Sequence, residues 1–255
     1  MTEEIYYGQE GQDSIIKQFF EAKGIKKGTF LDVGSLDGIR FSNTFLLEKA
    51  GWTGICVEMH PSYFDMLREN RPNSICYSCA AADKDKVKCE VSLNWRASLS
   101  SSDLRLEQYY SENSGWKPWY GDRDKKEING FLNGRHDVEF RTLNSIIEEN
   151  KKQFPKINFV SIDIDGSETQ ALPHLDLNKC DPDLLSLEHN IVGRDYVFNY
   201  AASHGYHPAL EVGEDIFFVT NKEDAELLHG LSIRGEQYHN NHPCDEIEKV
   251  IANGQ

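Results

Sequence analysis

The chain has no run of about 18 apolar residues, the length that a membrane-spanning helix needs, and it holds no internal repeat and no low-complexity linker. Its opening stretch, Met1 to Gly8, lacks the basic-then-apolar order of a secretory leader, so the cytoplasm is the expected compartment. Positive charge is scarce: 27 Lys and Arg stand against 42 Asp and Glu, a net charge of -15 at neutral pH. A surface of that sign repels a phosphate backbone, and Lys84 to Lys88, the nearest thing to a basic stripe, alternates with acids. No nucleic-acid partner is therefore expected. The six cysteines, at 56, 76, 79, 89, 180 and 244, are scattered. Cys76-x-x-Cys79 lacks a second pair at zinc spacing and reads as buried strand cysteines rather than a metal or redox site. His239-Asn-Asn-His242-Pro-Cys244 admits a zinc reading, but a short polar loop explains it as well.

What is present is a globular pattern. With 255 residues and 39% hydrophobic against 27% charged, the chain can bury one large core, and a single domain over 1–255 is expected. Residues 13–23 carry apolar residues at helical spacing, with Asp13 or Ser14 as the N-cap and Gly24 as the stop, inside a helical entry over 1–28. Strands are expected over 28–34, 52–58, 74–80, 138–141, 157–163 and 183–188. Helices are expected over 41–49, 61–70, 143–152, 169–175 and 196–204, and a hairpin over 206–212 and 216–220 around Gly213-Glu-Asp215. Residues 83–137 break this rhythm. Their aromatics include Trp95, Tyr109, Tyr110, Trp116, Trp119 and Tyr120, and about 90–137 reads as an insertion or acceptor lid. The tryptophans suit stacking on a sugar face or anchoring a lid, and His136 falls in the same stretch.

Alternating strands and helices closing on a hairpin predict an α/β, doubly wound, mostly parallel seven-stranded sheet. Ligands in such a sheet sit beyond the carboxyl ends of its strands. Those ends are Asp32/Gly34, Glu58, Ala80–Asp83, Asp163 and Glu188–His189. Asp32-Val-Gly-Ser-Leu-Asp-Gly38 follows the first main strand; Gly34 is expected to let a ligand approach the backbone, and Gly38 to relieve crowding. Glu58 ends the next strand, where a carboxylate can take both hydroxyls of a ribose. A dinucleotide needs a G-x-G-x-x-G turn for its pyrophosphate. That pattern is missing here, and Asp32 and Asp37 would repel a pyrophosphate. The cationic sulfonium and ammonium of S-adenosyl-L-methionine suit these carboxylates instead.

The runs Phe30-Leu-Asp-Val-Gly-Ser-Leu-Asp-Gly-Ile-Arg-Phe-Ser-Asn-Thr44 and Glu48-Lys-Ala-Gly-Trp-Thr-Gly-Ile-Cys-Val-Glu58 resemble the FkbM-type methyltransferases. Phe159-Val-Ser-Ile-Asp-Ile-Asp-Gly-Ser-Glu168 is similar to that family's second signature. Leu187-Glu-His189 and Gly8-Gln-Glu-Gly-Gln-Asp13 resemble its next strand end and its N-terminal entry. The resemblance implies a Rossmann-like fold, S-adenosyl-L-methionine as donor, and methylation of hydroxyls on sugars, glycans or secondary metabolites. It places Asp32, Gly34, Ser35, Asp37, Gly38, Ser42, Asn43 and Glu58 at the donor site, with Ala81 and Ala82 flanking the adenine. His60 stands where the family more often has proline, and Asp165 where glutamate is more usual.

Methyl transfer to a hydroxyl needs a base to take up its proton or a metal to lower its pKa. Asp163 and His189 are the catalytic candidates. Alternatively, Asp163, Glu188 and His189 hold a divalent ion, Mg or Mn, an arrangement similar to catechol O-methyltransferase. The bland alternative is that Asp163 and Glu188 cap helices or satisfy loop amides while His189 is an ordinary hydrogen-bonded histidine. The expected partner is a small-molecule or carbohydrate acceptor: a nucleotide-linked sugar or polysaccharide precursor, or else a small non-sugar metabolite. A nicotinamide-dependent oxidoreductase and a non-catalytic binding module are the competing classes.

Overall fold

The computed structural model describes residues 5–93 and 134–237. The aromatic lid residues Trp95 to Tyr120 and the His239 to Cys244 loop lie outside the described residues. The first helix, α1 (Gln12–Ala22), buries Ile15, Ile16, Phe19 and Phe20 at the three-to-four spacing expected of it. Its N-cap, however, is Gly11, at φ 79°. Asp13 sits inside the first turn and reaches back, accepting hydrogen bonds from the amides of Tyr7 at 2.7 Å and Gly8 at 3.0 Å. This fastens strand β1 (Ile5–Tyr6) and its following turn to the helix.

Five strands then run in one direction: β2 (Thr29–Val33), β3 (Thr53–Glu58), β4 (Ile75–Ser78), β8 (Phe159–Ile162) and β9 (Leu184–Glu188). With the hairpin β10 (His207–Val212) and β11 (Asp215–Val219) they form a seven-stranded sheet in the order β10-β11-β9-β8-β2-β3-β4. The sheet is mixed. The pairings from β9 across to β4 are parallel, whereas β11 is antiparallel to both β9 and β10. From β2 the chain winds outward through β3 and β4, then returns to the other side of β2 at β8. The order therefore reverses between β2 and β8, and a crevice opens there beyond the strand ends.

Period-two alternation along the strands feeds two cores. Leu31, Val33, Ile55, Val57, Val160, Ile162, Leu185 and Leu187 face one side and pack on α4 (Leu143–Asn150) and α6 (Arg194–Ser203). Phe30, Cys56, Phe159, Leu184 and Phe217 face the other and pack on Phe19 and Phe20 of α1 and Trp52. Asp32 shares the face of Phe30, which fixes where its carboxylate points.

Several elements depart from the expected bounds. The helix after the glycine turn, α2 (Phe45–Lys49), is one short turn. Residues 41–44 form a loop instead, with Phe41 at φ 56°. The strand expected over 74–80 splits after Ser78. Its continuation, β5 (Ala80–Ala81), joins a second sheet with β7 (Gly134–Arg141) and β6 (Val87–Leu93), in the order β5-β7-β6. The stretch over 83–137 thus begins and ends in paired strands, with Val87 opposite Phe140 and Leu93 opposite Gly134. Past α3 (Pro61–Asn70) and the short α5 (Glu168–Ala171), residue periodicity did not announce α7 (Lys222–His229). Nor did it foretell β12 (Glu236–Gln237), which pairs in parallel with β1.

Candidate active site

The turn after β2 is built by hydrogen bonds to the strand beside it. The amides of Gly34 and Ser35 both donate to the Val57 carbonyl, at 2.9 and 3.1 Å, and the Ser35 hydroxyl donates to the Asp32 carbonyl at 2.9 Å. Gly34 has φ 89°, and a Cβ on it would lie 1.7 Å from the Asp163 carbonyl oxygen. Its glycine is thus required by the close approach of this turn to the chain leaving the neighbouring strand β8. Gly38 is required by crowding, as expected: a Cβ there would meet the Arg71 and Leu67 side chains at 2.6 and 2.8 Å.

The polar residues of this loop divide into two groups. Glu58, 2% exposed, accepts from the amide of Leu36 at 2.9 Å through one oxygen and from that of His60 at 2.6 Å through the other. Burial pushes its carboxyl up to about 8, against the lowering pull of those amides. Beside it, the buried Ala81 and Ala82 line the passage from the main sheet to the second. The others look inward. Asp37 accepts from the amides of Ile39 and Arg40, each at 2.8 Å, closing the turn. The Ser42 hydroxyl accepts from the amides of Thr44 and Phe45 at 3.2 and 3.0 Å. Asp32 is hydrogen-bonded by the Thr44 hydroxyl and lies 3.9 Å from Arg71 Nη1.

Across the switch point the acids gather. Asp163 and Glu188, at the ends of β8 and β9, stand side by side and feel each other's charge. Both are pushed well above the usual carboxylate range, first by burial and, for Glu188, next by the charge of its neighbour. Asp165, in the left-handed turn that follows at φ 50°, and Glu168 reinforce the field. Glu168 rises to about 7 through burial while accepting from the Ile164 amide at 2.9 Å. Asp215 of β11, buried and also raised by desolvation, is held by the Ser186 hydroxyl and the Gln12 amide, each at 2.9 Å, and by Asn43. Asn43 also donates to the Ser161 hydroxyl at 3.1 Å. The hydrogen bonds to Glu168 and Asp215 come from dipoles, not cations.

Among the described residues, Asn43 Oδ1, Glu188 Oε2, His189 Nε2 and Asn190 Oδ1 at this site are buried atoms without a hydrogen-bond partner. Unpaired buried acceptors are costly, so they suit a ligand rich in donors and positive charge. That description fits the sulfonium, ammonium and ribose hydroxyls of S-adenosylmethionine. No three described His, Cys, Asp or Glu side chains, Asp163, Glu188 and His189 included, group as metal ligands, and His189 Nε2 lies 3.3 Å from Glu211 Oε1 without a hydrogen bond to it. Cys76 and Cys79 are free thiols in the structure. Sequence reasoning missed Arg71, Glu48, Asn190 and Asp215. Only Asp215 had a signal, as an acid in the hairpin turn.

Among solved structures, the chain is similar to a TehB-like S-adenosylmethionine-dependent methyltransferase from Corynebacterium glutamicum. The two share 9% identity and a TM-score of 0.40 over 86% of this chain and 89% of that one. It is also similar to a ribosomal protein L11 methylase from Lactobacillus delbrueckii subsp. bulgaricus, with 11% identity and a TM-score of 0.34 over 80% and 74% of the two chains. No curated protein matches it. Among the described residues no helix is long and apolar enough to cross a membrane. The methyltransferase FkbM domain matches residues 32–208, well over half the chain, from Asp32 through the paired acids to the hairpin, and the chain belongs to that family of S-adenosylmethionine-dependent methyltransferases.

Proposed function

We propose that the chain is a cytoplasmic O-methyltransferase acting on a hydroxyl of a sugar, in a nucleotide-linked form or in a polysaccharide or glycan precursor. The observation that carries this reading is the Asp163–Glu188 pair. It stands directly beside the glycine turn, since the Asp163 amide donates to the Val33 carbonyl at 3.0 Å. When bound, S-adenosylmethionine supplies an electrophilic methyl group on a sulfonium. Glu58 is the residue to receive the ribose hydroxyls, each of its oxygens having one lone pair engaged by a backbone amide. Asp163, half-buried where Glu188 is buried, is the partner that meets the acceptor. It receives the hydroxyl proton as the C–O bond forms, and Glu188 shares that proton across the carboxyl pair. The raised proton affinity of the pair makes it a stronger base than an ordinary carboxylate.

The test is turnover of S-adenosylmethionine to S-adenosylhomocysteine with a panel of methyl glycosides and nucleotide sugars, followed by Asp163→Asn. The variant is expected to bind the donor with near wild-type affinity and to lose about 100-fold or more in turnover, the range a positioned base supplies. A variant that keeps its turnover, or a product methylated on nitrogen or carbon, would overturn the reading.

A further inference from the structure

Arg71 heads the fully buried side chains of the described residues by volume, and it is 0% exposed. It is the residue after α3, immediately before Pro72, where the helix must end. A guanidinium is expensive to bury unless its donors are met. Here Nε donates to Glu48 Oε2 at 2.6 Å, Nη1 to the Gly38 carbonyl at 2.9 Å and the Ser42 hydroxyl at 3.2 Å, and Nη2 to the Thr44 hydroxyl at 2.7 Å. Asp32 Oδ2 is 3.9 Å away, and the rings of Phe30 and Phe45 lie 5.2 and 5.6 Å from the guanidinium carbon. Glu48 in turn accepts from the Asn73 amide and the Ser74 hydroxyl at 3.2 and 2.6 Å, tying Arg71 to the chain that leaves α3.

The partners share one location. Gly38, Ser42 and Thr44 belong to the loop between β2 and α2, which has no strand or helix of its own. Its inward carbonyl and hydroxyls need donors, and a planar fork with five N–H groups is the side chain that reaches several at fixed angles. A lysine offers one point charge in their place.

We propose that Arg71 is the positioning residue of the donor loop: by holding Gly38, Ser42 and Thr44 from behind, it sets residues 34–44 in the conformation that receives S-adenosylmethionine, without touching the donor. The inference rests on the donor site placed at this loop under the proposed function. It also accounts for Asp32 and Ser42, whose side chains serve this buried network.

The experiment is calorimetric titration of S-adenosylmethionine and S-adenosylhomocysteine into wild type, Arg71→Lys and Thr44→Val, well below each protein's unfolding temperature. Amide exchange over residues 36–44 is measured alongside. Arg71→Lys is expected to weaken both ligands about tenfold or more, the factor that ~1.4 kcal/mol represents, and to speed exchange at Ile39 and Arg40. Thr44→Val, which removes one acceptor of the fork at nearly constant volume, is expected to cost about threefold, ~0.6 kcal/mol by the same conversion. If Arg71→Lys does not fold, Thr44→Val decides. A purely structural arginine would lower the melting temperature and leave the affinity of the folded protein unchanged. Affinities within error of wild type in the folded variants therefore overturn the proposal alone. Absence of binding to wild type overturns it together with the donor site.

Discussion

Donor binding is expected to depend on the protonation of Glu58. Its carboxyl is raised to about 8 in the free protein because burial disfavours the charge more than the amides of His60, Leu36 and Met59 favour it. Only the ionised form accepts from two ribose hydroxyls while keeping its backbone partners. A carboxyl of pKa about 8 is ionised in roughly one molecule in a hundred at pH 6 and about nine in ten at pH 9. Affinity for S-adenosylhomocysteine should therefore rise by something approaching ~90-fold across that range, with a slope of about one decade per pH unit below the midpoint. The assay is calorimetric titration at fixed ionic strength from pH 6 to pH 9, on wild type and Glu58→Gln. The glutamine variant should bind weakly, with the part of the slope that belongs to Glu58 removed. A wild-type affinity that is flat with pH, or a slope that persists unchanged in Glu58→Gln, would refute the reasoning.

Three further outcomes follow from the same geometry. Gly34→Ala places a methyl 1.7 Å from the Asp163 carbonyl at φ 89°, so it should yield little folded protein, read by circular dichroism and melting temperature; near-native melting would show that β2 and β8 can separate cheaply. Phe159→Ala, at a position with 0% exposure in the aromatic core, should cost roughly 3–5 kcal/mol in denaturant unfolding while leaving donor affinity of the folded fraction intact. Finally, Asp13, Glu58 and Glu168 are raised by burial to about 6, 8 and 7. The folded state then holds more protons than the unfolded one between pH ~4 and ~8, so stability without ligand should fall as pH rises through that window. A melting temperature that instead climbs steadily from pH 5 to pH 8 would contradict this.

The strand runs were legible because a strand buried on both faces must be apolar at nearly every position, as in Phe30-Leu31 and Phe159-Val160. Chain order then placed Gly34, Glu58, Asp163 and Glu188 at strand ends. The loop over 41–44 was misread as helix because Phe41, Phe45 and Leu46 carry helical spacing. That segment is instead organised by Ser42 and Arg71, contacts to which periodicity is blind. Of β7 only 138–141 was legible as a strand, and β6 was hidden, for a related reason: their ladder joins residues separated by 40 to 52 others, and Val87, at 42% exposure, belongs to no continuous apolar run. Helix α7 was missed although Asn221 caps it, its side chain accepting from the Asp224 amide at 2.9 Å.

By itself, then, the sequence determined the class of fold, the glycine turn, the acids at the strand ends and the family, because each is written in local residue types and their spacing. Only the tertiary structure decided which way those side chains face. It turned Asp32 and Ser42 inward onto a buried arginine, set Asp163 beside Glu188, and made Gly34 a requirement of the close approach to the end of β8. The physical reason is the same in each case: a side chain's partner is set by what packs opposite it across the sheet, and residues distant in sequence meet there only when the core has formed.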